Sequence, residues 1–255
     1  MYLRAAHVET SIPVLRQLIR DYPLGILTTA IGSTTYPFIQ SSHIPFVLDV
    51  ENESSETELG RLRGHMARQN PQSKAIIESL TSPSHAVSSN TLEQEVLVLF
   101  NAHPNHYVTP KFYVETKPVT GKVVPTWNYA AVQAYGKATI YFDSNSEESS
   151  TYLSKQISDL SHYAETSIMG YTGTEGRPEA WTVSDAPDRY LELMKRNIIG
   201  IEIAIDRLEG KFKMSQELGK GDRDGAIQGF ENLDSAVGRD MAKLVQQRGN
   251  LKDAN

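Results

Sequence analysis

Residues 63–72 read RGHMARQNPQ, which brings a histidine, an arginine and a helix start into one short stretch. Asn followed by Pro is a strong helix opening. The Asn side chain accepts a free backbone N–H, and proline at the first helical position gives up an N–H that would have had no partner. The spacing predicts a helix over PQSKAIIESL (71–80), with Ala75, Ile76 and Leu80 on one face. Backbone donors and the macrodipole at such an end favour negative charge, and Arg68 and Lys74 would each add a full positive charge. Two readings stay open at this point: a phosphate cradle built around His65 and Arg68, or a capped helix start with surface charges.

Other residues offer less chemistry. The seven histidines are His7, His43, His65, His85, His103, His106 and His162, and HPNH (103–106) is the one close pair. Those two could share a metal or haem iron, but on a strand that spacing turns them to opposite faces, and no carboxylate cluster accompanies them. No metal site is expected. His43, in SSHIP, is either a hydrogen-bonded, half-buried histidine or a ligand contact. HYVTPKFY and PTWNY set aromatic rings beside polar groups, which suits a planar ligand. Tyr113, Trp127 and Tyr129 would equally serve as core or dimer interface. There is no cysteine, which removes disulfides, thiolate nucleophiles and thiolate metal sites. No nucleophile elbow, Walker A loop or dinucleotide fingerprint is present.

The elements that must position these residues follow from periodicity. SIPVLRQLIRDY (11–22) places Leu15, Leu18, Ile19 and Tyr22 at helical spacing after Ser11. LGILTTA (24–30) and YPFIQSSHIPFVLDV (36–50) read as consecutive antiparallel strands around the IGST turn, and LGRLRGHM (59–66) as a third strand after the polar loop ENESSETE. EVLVLFNAHPNHYVTP (95–110) reads as a buried strand broken near Pro104. WNYAAVQAYGKATIYF (127–142) reads as a long strand in which Gly136 marks a bulge or a close approach. The connection KFYVETKPVTGKVVPT between them carries no apolar periodicity. Helices are expected at 146–165, capped by Ser146, and at 185–196, capped by Asp185, on either side of a Gly-rich loop (168–180). IIGIEIAIDRLEGKFKMS (198–215) should form a central strand pair or one long bent strand. A last helix is expected around SAVGRDMAKLVQQR, with Val237, Met241, Leu244 and Val245 facing one way and LKDAN fraying. The fold expected is α+β: a closed or nearly closed antiparallel β-barrel with peripheral helices.

The chain has 255 residues, 39% of them hydrophobic, and a formal net charge of −6. That sign disfavours a phosphate backbone as partner unless basic groups concentrate locally. Arg61, Arg63 and Arg68, then Lys211 and Lys213, are the densest basic groups, too sparse for a DNA-binding stripe. No stretch approaches the roughly 20 apolar residues that span a bilayer. MYLRAAHVET lacks a signal peptide's apolar core. A soluble cytoplasmic protein without membrane contact is expected.

Taken in order and with their spacing, LGILTTA, SSHIP, GHMARQNPQ, VLVLFNAHPNHYVTPKFY, VPTWNYAAVQAYGKA and IEIAIDRLEGKFKMSQ resemble the PaiB family. The likeness covers most of residues 1–230 and implies an FMN-binding split β-barrel over 1–230. Residues 231–255 are expected as a C-terminal helical extension packed on the same domain. The family is similar to dimeric flavoproteins that include pyridoxine phosphate oxidase, and its bacterial members are named as negative transcriptional regulators. The resemblance thus implies a homodimer holding FMN, with a small-molecule oxidoreductase as one activity. A regulator acting through DNA or a protein partner is the alternative.

By the same resemblance, the FMN phosphate falls to His65, Arg68, Asn70, Ser73 and Lys74. Thr28, Thr29, Ser41, Ser42 and His43 would line the ribityl chain and the isoalloxazine edge. Trp127, Asn128, Lys211 and Gln216 would close the pocket from the partner subunit. The chain departs from pyridoxine phosphate oxidase in lacking its crowded Arg/Lys phosphate clamp, so haem, held by His43, His65, His103 or His106, stands beside FMN as a second planar ligand.

Overall fold

The hairpin over residues 24–45 forms because two β-rich runs flank a Gly/Ser turn. Strands β2 (Leu24–Ala30) and β3 (Ile39–Pro45) pair antiparallel from Leu24↔Pro45 to Ala30↔Ile39. This is a computed structural model, and it describes residues 1–82 and 89–254; His85 lies outside the described residues. The chain divides into two compact units, one comprising residues 23–99 and 134–208, the other 1–22, 100–133 and 209–255.

In the first unit the strand order is β3-β2-β6-β8-β9-β5-β4. Besides the hairpin it contains β4 (Val47–Asp49), β5 (Arg61–Ala67) and β6 (Val96–Asn101), with the later part of β8 (Thr126–Tyr141) and the earlier part of β9 (Ile198–Lys213). β2 pairs with β6 and β5 with β9, both antiparallel. The expected strand over 36–50 is two strands, β3 paired with β2 and β4 with β5, separated at the fully buried Phe46. Residues 198–213 form one long strand, which settles the choice between a pair and a single run. Gly136 marks a close approach: a Cβ there would lie 1.9 Å from the Ala204 carbonyl oxygen. No side chain fits between the two backbones.

Three of the helices among the described residues belong to the same unit. In α2 (Pro71–Thr81) the Asn70 side chain accepts from the Gln72 N–H at 2.9 Å, the cap expected from the sequence, and Ala75, Ile76 and Leu80 are buried. Helix α4 (Glu147–Tyr163) starts at Ser146, whose hydroxyl accepts from the Ser149 N–H. It lies over β5 and β9: Gln156 Nε2 donates to the Arg63 carbonyl at 3.2 Å, and the Tyr152 hydroxyl donates to the Ile201 carbonyl at 2.6 Å. Helix α5 (Asp188–Arg196) begins three residues later than expected, after Pro187. Asp185 instead closes the preceding 3-10 turn, where its carboxylate accepts from the Thr182 N–H at 2.8 Å.

The second unit is built on α1 (Ile12–Asp21), with Leu15, Leu18 and Ile19 buried. The 95–110 run is interrupted as expected: after β6, β7 (His106–Val108) pairs with the start of β8. The supposedly aperiodic connection holds a 3-10 turn and a short helix, α3 (Thr116–Thr120), while β1 (Val8–Glu9) pairs with the end of β9. Two C-terminal helices follow. The sequence signals only the second, α7 (Ala236–Asp253), which packs on α6 (Lys220–Glu231). In α7, Met241 and Val245 are buried but Val237 is 45% exposed, so the expected apolar stripe is shorter at its start. The architecture is α+β, an antiparallel split barrel with peripheral helices, as expected.

Candidate functional site

Period-two geometry decides which hairpin residues share a face. Thr28 pairs with Ser41 and Ile26 with His43, so Thr28, Ser41 and His43 lie on one face, where Ser41 and His43 are exposed. The Thr28 and Ser41 hydroxyls are 2.8 Å apart. Thr29 and Ser42 lie on the opposite face with buried Leu27. Ser42 accepts from Asn70 Nδ2 at 3.0 Å, and Thr29 accepts from Gln72 Nε2 at 3.1 Å. The five hairpin residues therefore divide into an outward polar ladder and an inward pair that anchors helix α2.

Gln72 is the anchor that spacing alone did not single out. Its amide, 1% exposed, also reaches the Leu27 carbonyl at 3.2 Å and the Gln40 carbonyl at 3.1 Å. The one signal for it in the sequence is an amide in the first turn of a helix, directly after the Asn-Pro cap.

The five residues expected at the phosphate differ in burial and in the partners they already hold. His65 lies half-buried on β5, paired with Gly200 on the face that α4 covers through Arg63 and Tyr152. Burial pushes its pKa down, and its buried Nδ1 has no hydrogen-bond partner. The Arg68 guanidinium donates to the Phe142 carbonyl and, at 3.1 Å, to the Arg196 carbonyl. Ser73 is fully buried and donates to the Ala67 carbonyl at 2.7 Å. Asn70 is divided between its cap and Ser42. Lys74 is exposed and makes no ion pair among the described residues.

The same face of β5 carries a cluster that sequence reasoning did not find. Arg63, with a side chain 6% exposed, pairs with Asp49 and Asp159 and donates to Gln156 Oε1 at 3.2 Å. Its hydrogen bond to Asp49 holds its pKa above the ordinary guanidinium value, against its own burial. Burial would raise the Asp159 carboxyl, but hydrogen bonds from Lys155 and Arg63 outweigh it and hold the pKa down. These partners are far apart in sequence, and no local signal links them.

In the other unit, Trp127 is 51% exposed; its indole N–H donates to Asn105 at 3.0 Å and its ring meets Tyr107 edge-on. Lys211 Nζ lies 5.5 Å from the Tyr129 ring centroid and 5.8 Å from that of Tyr2. Asn128 and Gln216 are buried. Asn128 exchanges hydrogen bonds with Ser215, which holds a left-handed φ of +60°, and Gln216 accepts from the Met214 N–H at 2.6 Å. Trp127 and Lys211 thus present groups at the surface, whereas Asn128 and Gln216 brace the turn after β9. Lys213 Nζ donates to Thr126 and, at 3.0 Å, to the Trp127 carbonyl, and burial lowers its pKa. His103 and His106 each sit edge-on to one ring, Tyr22 and Phe230 respectively.

The ribityl chain and ring edge of FMN offer hydroxyls, carbonyls and ring nitrogens to hydrogen-bonding side chains, and its phosphate favours positive charge. Thr28, Ser41 and His43 are of the first kind, with side chains on one face. Of the two cations expected at the phosphate, Lys74 is exposed on α2 and Arg68 is committed to two carbonyls. No helix among the described residues is long and apolar enough to cross a membrane.

The chain is 61% identical over 260 residues to an uncharacterized protein of Aspergillus fumigatus, with 99% of each chain covered. It is 25% identical over 250 residues to protease synthase and sporulation protein PAI 2 of Bacillus subtilis, covering 97% of this chain and 98% of that one. Among solved structures, a conserved hypothetical protein of Mycobacterium tuberculosis, Rv2991, superposes with a TM-score of 0.46 at 13% identity, over 86% of this chain and 94% of that one. Residues 1–207 match the family described as "Putative FMN-binding domain", and the chain belongs to that PaiB-like family.

Proposed function

We propose that this chain binds FMN as a homodimer and works as a flavin-dependent small-molecule oxidoreductase. The observation that carries the reading is the outward ladder of Thr28, Ser41 and His43 on β2 and β3, in a chain of an FMN-binding family. β3 ends the strand order, and Leu24, Phe38 and Ile39, each more than half exposed, flank the polar ladder. Apolar side chains of that size around a polar stripe mark a surface that gains from being covered, and a second copy is the cover we assign. In this arrangement Thr28 and Ser41 hydrogen-bond the ribityl hydroxyls, His43 meets the ring edge, and Lys74, on the helix anchored to the opposite face of the hairpin, reaches the phosphate past the edge strand β3. Trp127 and Lys211 come from the second copy. Bound FMN would supply hydride chemistry, the protein supplying placement and exclusion of water.

A regulator acting on DNA requires a concentrated basic surface, and the net charge of −6 opposes it. The test is a titration of the full chain with FMN, read by flavin fluorescence and absorbance, with the mass of the particle measured by light scattering. Saturable quenching by a dimer is expected. Lys74→Ala should weaken binding by about fivefold, as befits an exposed charge, and Ser41→Ala by a similar factor. Arg68→Ala should leave FMN affinity within twofold. No quenching at millimolar FMN refutes the reading, and a Soret band on haemin titration in its place would establish the haem alternative.

A further inference from the structure

Within the second unit, α1, the segment after β6, β8, the end of β9 and α7 line an open cavity of about 260 Å³ that contains none of the residues assigned to FMN. Its walls are Leu18, Ala102, Ala130, Phe212, Met214 and Leu244. Gln17, Asp21, Tyr22 and His103 also line it and supply the polar groups. A dry cavity of about 150 Å³ already holds benzene, so this volume accommodates one aromatic ring with a short arm.

The charges are arranged for one kind of ligand. Asp21 is the last residue of α1, where the helix pole is itself negative and a carboxylate is disfavoured. It accepts a hydrogen bond from Gln17 at 2.7 Å, a neutral partner. His103 also lines an adjoining cleft of about 320 Å³ that holds Asp240, whose carboxylate sits 3.4 Å from the exposed Lys243. Both Asp21 and Asp240 act on the Tyr22 hydroxyl, raising its pKa behind the larger effect of burial. Arg248 lies 3.6 Å from the Phe212 ring centroid, and Glu9 pairs with it at 2.6 Å.

We infer that this cavity is a binding site for a small arylalkyl ammonium, with its ring among Leu18, Phe212, Met214 and Leu244 and its amine at Asp21. The Tyr22 hydroxyl donates to the His103 carbonyl, so the aromatic side of the mouth is held in place. An anionic ligand of the same shape meets the Asp21 carboxylate and the helix pole together, and is excluded.

The test uses the full chain and three probes of one shape, 2-phenylethylammonium, 2-phenylethanol and phenylacetate, followed by calorimetry and ligand-observed NMR. The ammonium should bind saturably, the alcohol about fivefold more weakly and phenylacetate not at all. Leu244→Trp, which fills the cavity, should abolish binding. Asp21→Asn, which lifts a carboxylate from an unfavourable helix position, keeps the fold and should bring the ammonium down to the affinity of the alcohol. Equal binding of all three probes, undiminished ammonium binding by Asp21→Asn, or no ammonium binding at millimolar probe overturns the inference.

Discussion

Arg63→Met isolates the buried ion cluster beneath α4. The guanidinium is 6% exposed and serves Asp49, Asp159 and Gln156 at once. Gln156 is fully buried, so the substitution leaves its Oε1 without that donor, at a cost of about 1–3 kcal/mol. Asp49 and Asp159 are 44% and 33% exposed; they regain water, and each lost pair costs only about 0.2–1 kcal/mol. Methionine occupies most of the vacated volume, which keeps the packing loss small. Arg63→Met should therefore destabilise by about 3 kcal/mol, at the low end of the range for breaking a fully buried pair. Arg63→Lys keeps the charge but not the planar fork that reaches three acceptors, and should fall between wild type and Met. The assay is urea unfolding followed by circular dichroism, with Arg61→Met as comparison. Arg61 is 53% exposed and lies 3.3 Å from Glu202, so its loss should stay below about 1 kcal/mol. Equal shifts for Arg63→Met and Arg61→Met would refute this account.

The buried Asp222 carboxylate accepts from the Glu115 N–H at 2.8 Å and from the Thr116 N–H at 3.2 Å. Burial would raise its pKa, but hydrogen bonds from Thr116 and Glu115 hold it below the usual carboxylate value. Its contribution is complete above about pH 3.9 and is lost as the pH falls through the lower folded value. Asp222→Asn should cost about 1.5–3 kcal/mol at pH 7 and flatten the acid limb of urea midpoints against pH; an unchanged limb would remove the assignment. Burial lowers the His65 pKa, so the unfolded chain takes up its proton first and stability falls as pH drops below about 6.5. An imidazole NMR titration should place its midpoint below that value, and His65→Gln should lack this part of the decline. Gly136→Ala drives a methyl group into the Ala204 carbonyl and should cost about 3 kcal/mol or more in thermal unfolding, whereas Gly32→Ala, with nothing within 4 Å of its Cβ position, should be nearly neutral.

Local chemistry was legible in the sequence wherever a cap or a clean period announced itself. Asn70 and Ser146 cap helices as read, and the 198–213 isoleucine alternation is one strand. Helix α6 was not legible: it opens at Gly219 without a side-chain cap, and Gly225 and Gly229 carry it against Phe112, so contact surface replaces apolar periodicity. Asp185 reads as a helix cap in the sequence, but the N–H it satisfies is that of Thr182, within a tighter turn. At the site, residue types pointed to the hairpin and the α2 start, but not to what each side chain does there. Arg68 looks like a phosphate ligand until its guanidinium meets the Phe142 and Arg196 carbonyls. Such long-range partners leave no mark on local spacing.

The two compact units are interleaved along the chain, and this sets the order in which they can be completed during synthesis. The unit holding the hairpin closes once residue 208 has been made, but the one that receives α1 needs residues 209–255 as well. At about 5–20 residues per second, the buried face of α1, with Leu15, Leu18 and Ile19, waits about 10–50 s for its C-terminal neighbours. During that interval it is an amphipathic helix without its core, the kind of segment a chaperone holds. Truncation from the C-terminus should therefore harm the N-terminal helix before it harms the hairpin.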